Sequence, residues 1–316
     1  MNTDFDPPPH LAPRGFAHRC SGCGCGFAPQ RRLFSAALLG AGAATAWPAL
    51  AREGVEVGGQ SKFAKLIPAE DVEQAAASQY VELRQKASAQ GALAPDNHPQ
   101  VVRLRAIAQR IIPHTYEWNP RARQWRWEVN LIGSKQINAF CMPGGKIAFY
   151  WGILEQLKLE DDEVAMVMGH EAAHALREHA RERMGKTAAT RAGAGLLSSL
   201  LGLGNLGDAA LSLGANLLTL KFSREDESEA DLVGIDLAAR AGYDPRAGVT
   251  LWQKMAAASK SAPPAFISTH PSGPTRIRDI EDNLPKVAPL YARAPRPPQR
   301  FEPAQAGAGP KALTEQ

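Results

Sequence analysis

Cysteine is scarce in this chain and badly distributed. Of four cysteines among 316 residues, Cys20, Cys23 and Cys25 lie near the start and Cys141 stands alone. A scaffold stapled by disulfides is therefore excluded for the body of the molecule, which holds one thiol. Charge of one sign is lacking too: the formal net charge is +4, and no Lys/Arg cluster is interleaved with aromatics, so nothing points to nucleic acid as a partner. Beyond the first fifty or so residues no apolar run reads as a confident transmembrane span, and no helical repeat array is present. What the chain does have is length and a 44% hydrophobic content, enough for the core of one large domain or two small ones.

Residues 1–30 are rich in Pro, Gly and Cys without apolar periodicity, and are expected to lie outside that core. Arg31-Arg32-Leu33-Phe34-Ser35 then precedes AALLGAGAATAWPALA, which reads as an export signal cleaved after Ala51. The Arg-Arg-x-Phe pattern resembles a twin-arginine signal, but Ser35 stands where a larger apolar residue is usual, so the general secretory route stays open. No cysteine follows in the manner of a lipoprotein signal. Cleavage would remove Cys20, Cys23 and Cys25, leaving Cys141 without an internal partner; the mature chain is expected in the periplasm or otherwise outside the cytoplasm.

After the leader, residues 52–95 read as a helical and linking segment, with a peripheral helix over Phe63–Gln90 and a break from Gly91 to Pro95. Asp96-Asn97-His98-Pro99 opens a second helix, and His98 and His114 take ordinary polar roles. Trp125, Trp127, Val129 and Leu131 alternate with polar residues as a strand does. Two further strands, Ile137–Cys141 and Lys146–Tyr150, flank the turn Pro143-Gly144-Gly145 as a hairpin. The strand at Lys146–Tyr150 is read as an edge able to pair with an extended peptide.

The stretch Glu160–Lys186 follows, with the apolar three-and-four spacing of one helix, acidic residues at its start and basic ones at its end. It contains His170-Glu171-Ala172-Ala173-His174. Residues four apart on a helix return to nearly one face, about 40° round and about 6 Å along, so His170 and His174 can share a metal. Two imidazoles on one turn suit zinc, and Glu171 between them can take a proton from activated water. The apolar surroundings of the triplet favour paired use over chance surface placement, because buried polar groups need partners. By the same ideal helix His179 lies about 140° off the ligand face and is set aside.

A two-histidine site needs a third ligand from elsewhere. Ser223–Gly234 begins like another helix, and on composition Glu225, Glu227, Glu229 and Asp231 all compete for that place. Between the two, Gly193–Leu220 is dense in Leu, Gly and Ala and is read as two short buried helices which, if exposed, would make peripheral contact with membranes or unfolded proteins. The tail after residue 293, rich in Pro, Ala and Gly, is compositionally disordered.

His-Glu-x-x-His followed about fifty residues on by Glu-x-x-x-Asp resembles the gluzincin peptidases of the HtpX, BepA and CAAX prenyl protease type, peptidase family M forty-eight. Asn138–Gly145 upstream and Thr269-His270-Pro271 downstream extend the resemblance over roughly residues 96–290. It implies an α+β, zincin-like fold, mostly helical with a small sheet ahead of the active-site helix, and a peptidase domain over 96–292. It further implies one zinc ion per chain held by His170, His174 and Glu227, Glu171 as general base, and Asp231 behind His170, accepting its free ring N–H. Glu225 and Glu229 then face solvent. His270 occupies the open zinc position as a gate, stabilises the oxyanion, or is a local structural residue before Pro271. The activity implied is an exported metalloendopeptidase acting on polypeptides, with misfolded envelope proteins as the expected substrates. A factor that binds unfolded envelope proteins with proteolysis suppressed is the rival reading.

Overall fold

The computed structural model describes residues 52–200, 217, 220–259, 265–270 and 274–314. The leader at 1–51, with its three cysteines, and most of the Gly193–Leu220 stretch lie outside the described residues. Three strands form one sheet in the order β1 (Glu128–Ile132), β3 (Lys146–Tyr150), β2 (Ala139–Met142). β2 and β3 are the expected hairpin, and Gly144 and Gly145 turn it at φ of 83° and 76°, which side chains disfavour. β3 also pairs in parallel with β1, so it sits at the centre. The expectation that β3 is an edge is therefore corrected. A hairpin alone does not say on which side a third strand will add; the edge beside the histidine helix belongs to β2.

Alternation along the strands sorts side chains to two faces. Val129, Leu131, Cys141, Ile147 and Phe149 face the main core, while Ile132, Met142 and Ala148 face a second cluster with Ala76 and Tyr80. The latter residues come from α1 (Ala69–Ala89), whose Tyr80 hydroxyl donates to the Ile147 carbonyl at 2.5 Å. α2 (Pro99–Ile111) begins as the sequence predicts: Pro99 occupies the first turn and His98 Nδ1 accepts from Gln100 N at 3.1 Å.

The hairpin leads through α3 (Trp151–Gln156) into α4 (Asp161–Leu176). Glu160 and Glu163 form a reciprocal cap on α4, and three acids in its first turn match the helix dipole. The single helix expected over Glu160–Lys186 is in fact two. α4 stops at Leu176, Glu178 takes φ 59°, and α5 (His179–Leu200) sets off afresh. α6 (Arg224–Arg240), α7 (Ala247–Ala258), α8 (Ala265–Thr269) and α9 (Pro274–Arg293) complete the order. Among the described residues no helix is long and apolar enough to cross a membrane.

Fully buried Arg103 of α2 ties the layers together. It donates to Asp161 Oδ1 at 2.6 Å, the Leu159 carbonyl at 2.7 Å and Gln100 Oε1 at 3.0 Å. The tail, expected to be disordered, is instead laid along the same side of the molecule. Its Phe301 N–H reaches Asp161 Oδ2 at 2.9 Å, the Glu302 and Ala308 carbonyls meet Gln100 and His98, and Leu313 N donates to the Gly133 carbonyl. Composition low in large apolar residues misled here because backbone hydrogen bonds, which carry no side-chain signature, hold this segment. At the other end Arg52 binds the buried Asp236 at 2.6 Å and stacks 3.5 Å over Trp118.

Candidate metal centre

The site is built where α4 crosses α6. A Cβ added at Gly169 would meet the Gly234 carbonyl at 2.9 Å, and one at Gly234 would meet the His170 nitrogen at 3.1 Å, so glycine at both positions lets the backbones touch. From that contact the chains run in opposite order: Asp231 comes alongside His170, and Glu227 alongside His174. Helical spacing thus brings the two motifs to one point.

His170 Nε2 and His174 Nε2 lie 3.1 Å apart, and each lies 3.5 Å from an oxygen of Glu227. His270, at the end of α8, adds its Nδ1 at 3.0 Å from Glu227 Oε1 and 3.3 Å from His170 Nε2. All four residues are buried, and their donor atoms fall within 4.8 Å of one another. Four donors around tetrahedral zinc, with bonds of about 2.0–2.1 Å, stand about 3.3–3.4 Å apart. The closest nitrogen and carboxylate donors, at 3.0–3.5 Å, stand near that spacing, and the widest separation in the group, within 4.8 Å, would close a little around such an ion. Glu171 stands beside the group: its Oε1 is buried, has no hydrogen-bond partner and lies 3.6 Å from His270 Nε2. The site residues expected from sequence, His170, Glu171, His174, Glu227, Asp231 and His270, are thus brought together.

Asp231 Oδ1 lies 3.0 Å from His170 Nδ1, leaving Nε2 turned to the group. Arg276 on α9, which no sequence signal marked, holds Asp231 with two hydrogen bonds of 2.6 and 2.8 Å, approaches Glu227 Oε2 at 2.7 Å and stacks 3.6 Å over Trp252. These fields set the protonation of the metal-free site. Burial opposes the charged form of His170, but hydrogen bonds and charge from Asp231 and Glu227 outweigh it and carry the ring up to about 9. Burial holds His174 well below the usual histidine range and pushes the Glu171 carboxyl up. For Glu227 and Asp231 burial is overcome, by the histidines in one case and chiefly by Arg276 in the other, and both stay well ionised.

Two sequence expectations need correcting here. Glu229, expected to face solvent, is half-buried and takes Arg177 at 2.7 Å and His179 Nε2 at 3.0 Å. His179 itself lies against the site, with Nδ1 2.9 Å from His174 Nδ1. The break after α4 turns it back, and no glycine or proline at 177–178 announces that break. Glu225 is exposed, as expected.

One cleft opens onto this group. It is lined by Asn138 and the residues of β2 on one side, Phe222 and Leu220 on the other, and Glu171, His174 and His270 at its floor. A sheet edge, a two-histidine helix and a glutamate from a second helix define the α+β zincin type of metallopeptidase fold. The chain belongs to Peptidase family M48, whose family model matches residues 98–284. It is similar to the mitochondrial metalloendopeptidase OMA1 of Schizosaccharomyces pombe, with 38% identity over 196 residues, 61% of this chain and 56% of that protein. It is also similar to the metalloprotease LoiP of Escherichia coli, 28% identical over 202 residues, 63% of this chain and 77% of that one. The beta-barrel assembly-enhancing protease of Yersinia pestis is 30% identical over 169 residues, half of this chain and 35% of its own length. The chain spans little more than half the length of the Schizosaccharomyces protein.

Proposed function

We propose that this chain is an exported zinc metalloendopeptidase that hydrolyses misfolded envelope proteins. The observation that carries the reading is the buried group of His170, His174, Glu227 and His270 with an unpartnered Glu171 oxygen beside it in the lining of a partly enclosed cleft. Zinc, when bound, supplies Lewis acidity toward a scissile carbonyl and toward water. The protein does the rest. The β2 edge pairs with an extended substrate backbone, which holds a peptide without reading much of its sequence. Glu171 takes the proton of the attacking water and passes it to the leaving amine as the C–N bond breaks.

His270 is the gate in this reading. Its Nδ1 lies 3.0 Å from Glu227 Oε1, so with His170, His174 and Glu227 it would hold the metal as a fourth ligand, and movement of α8 would free that place for water. Casein digestion by the purified protein tests the activity: it should be lost with a chelator and restored by zinc. At equal zinc content His270→Ala should raise the basal rate; a fall would assign His270 to the oxyanion instead. Intact mass of exported protein tests the leader and should give a chain beginning at Arg52.

A further inference from the structure

The two histidines of α4 are supported from behind in different ways. His170 Nδ1 meets a carboxylate directly, that of Asp231. His174 Nδ1 meets another imidazole: His179 Nδ1 lies 2.9 Å away, and His179 Nε2 lies 3.0 Å from Glu229 Oε2. Arg177 fixes the other oxygen of Glu229 at 2.7 Å. Only one neutral arrangement satisfies every contact. The Glu229 carboxylate can only accept, so His179 donates from Nε2 and its Nδ1 is an acceptor. His174 must then donate from Nδ1, and its Nε2 keeps a lone pair facing the four-donor group.

We infer that His179 is a positioning residue for His174, which with Glu229 behind it fixes the ring tautomer that presents Nε2 to the metal. Phe222, stacked 4.0 Å from the His174 ring at 21°, holds the plane in which that lone pair points. The left-handed turn at Glu178 is what brings His179 back against α4. Outer partners of metal-bound imidazoles fix tautomer and orientation and raise ligand basicity, and their loss typically costs about 10–100-fold in metal affinity. The inference rests on the zinc reading of the site.

Zinc affinity, measured on the whole protein by competition with a chromogenic chelator, tests it together with the zinc-induced rise in Tm. His179→Phe keeps an aromatic ring and removes the acceptor; it should weaken zinc about 10–100-fold and shrink the zinc-induced rise in Tm. A packing role would lower the Tm of metal-free and zinc-loaded protein alike. Glu229→Leu, which removes the acceptor behind His179, should lose affinity too; this variant serves if His179→Phe does not fold. In ¹⁵N-histidine spectra of zinc-loaded protein, His174 should be protonated at Nδ1. Parental zinc affinity in both His179→Phe and Glu229→Leu overturns the inference, as does a His174 ring protonated at Nε2. A parent protein that binds no zinc would instead remove the zinc reading itself.

Discussion

Two buried arginines invite comparison, because each pairs with an aspartate on one of the helices that cross at Gly169 and Gly234. Arg103 meets Asp161 at the start of α4, and Arg276 meets Asp231 within α6. Around Arg103 the accounts close: three guanidinium nitrogens have acceptors, and both Asp161 oxygens have donors. Around Arg276 they do not. Glu171 Oε1 is left without a donor, and two imidazole nitrogens face each other at 3.1 Å. A buried polar network that satisfies itself is architecture, and one left incomplete marks where a ligand and a reaction belong.

The sharpest break of that comparison is at Glu171. Glu171→Gln should retain zinc and fold but lose peptide hydrolysis by about 10²–10⁴-fold, since general base catalysis contributes on that scale; a variant that digests casein at the parental rate ends the proposed role. Arg103→Leu should act in the opposite sense. It strands Asp161 in the core at a cost of about 3–5 kcal/mol, seen in denaturant titration of the metal-free protein, while zinc affinity of the folded fraction stays parental. Asp231→Asn is smaller: with the charge opposite Arg276 gone, zinc should weaken about 10–100-fold by chelator competition. Glu225→Gln sets the baseline, because the residue is exposed; stability should move by less than about 0.5 kcal/mol and zinc binding not at all. If Arg103→Leu weakened zinc as much as Asp231→Asn, the division between the closed and open networks would fail.

The parts of this molecule that were readable in its sequence are those in which one residue type does one local job. His98 before Pro99 caps α2, Gly144 and Gly145 turn the hairpin, and the four-residue spacing of His170 and His174 places both on one face. What was not readable depends on partners far away. The position of β3 inside the sheet is decided by β1, the order of the tail by carbonyls and a carboxylate in other elements, and the importance of Arg276 by two acids more than forty residues earlier. An unbroken helix past Leu176 would turn His179 away from the site. A non-glycine residue at positive φ, Glu178, ended it without leaving a mark in the sequence.

The contact between Phe301 and Asp161 joins residues 140 positions apart. It gives the protein an unusual calendar. The helix bearing the two histidines is made first, yet the carboxylate in its first turn cannot receive its last hydrogen bond until 140 further residues have been translated. Domains that fold as they emerge complete their early parts first; here a much later segment finishes an element begun long before, so a ribosome-bound chain holds the motif of the site before it holds the finished helix.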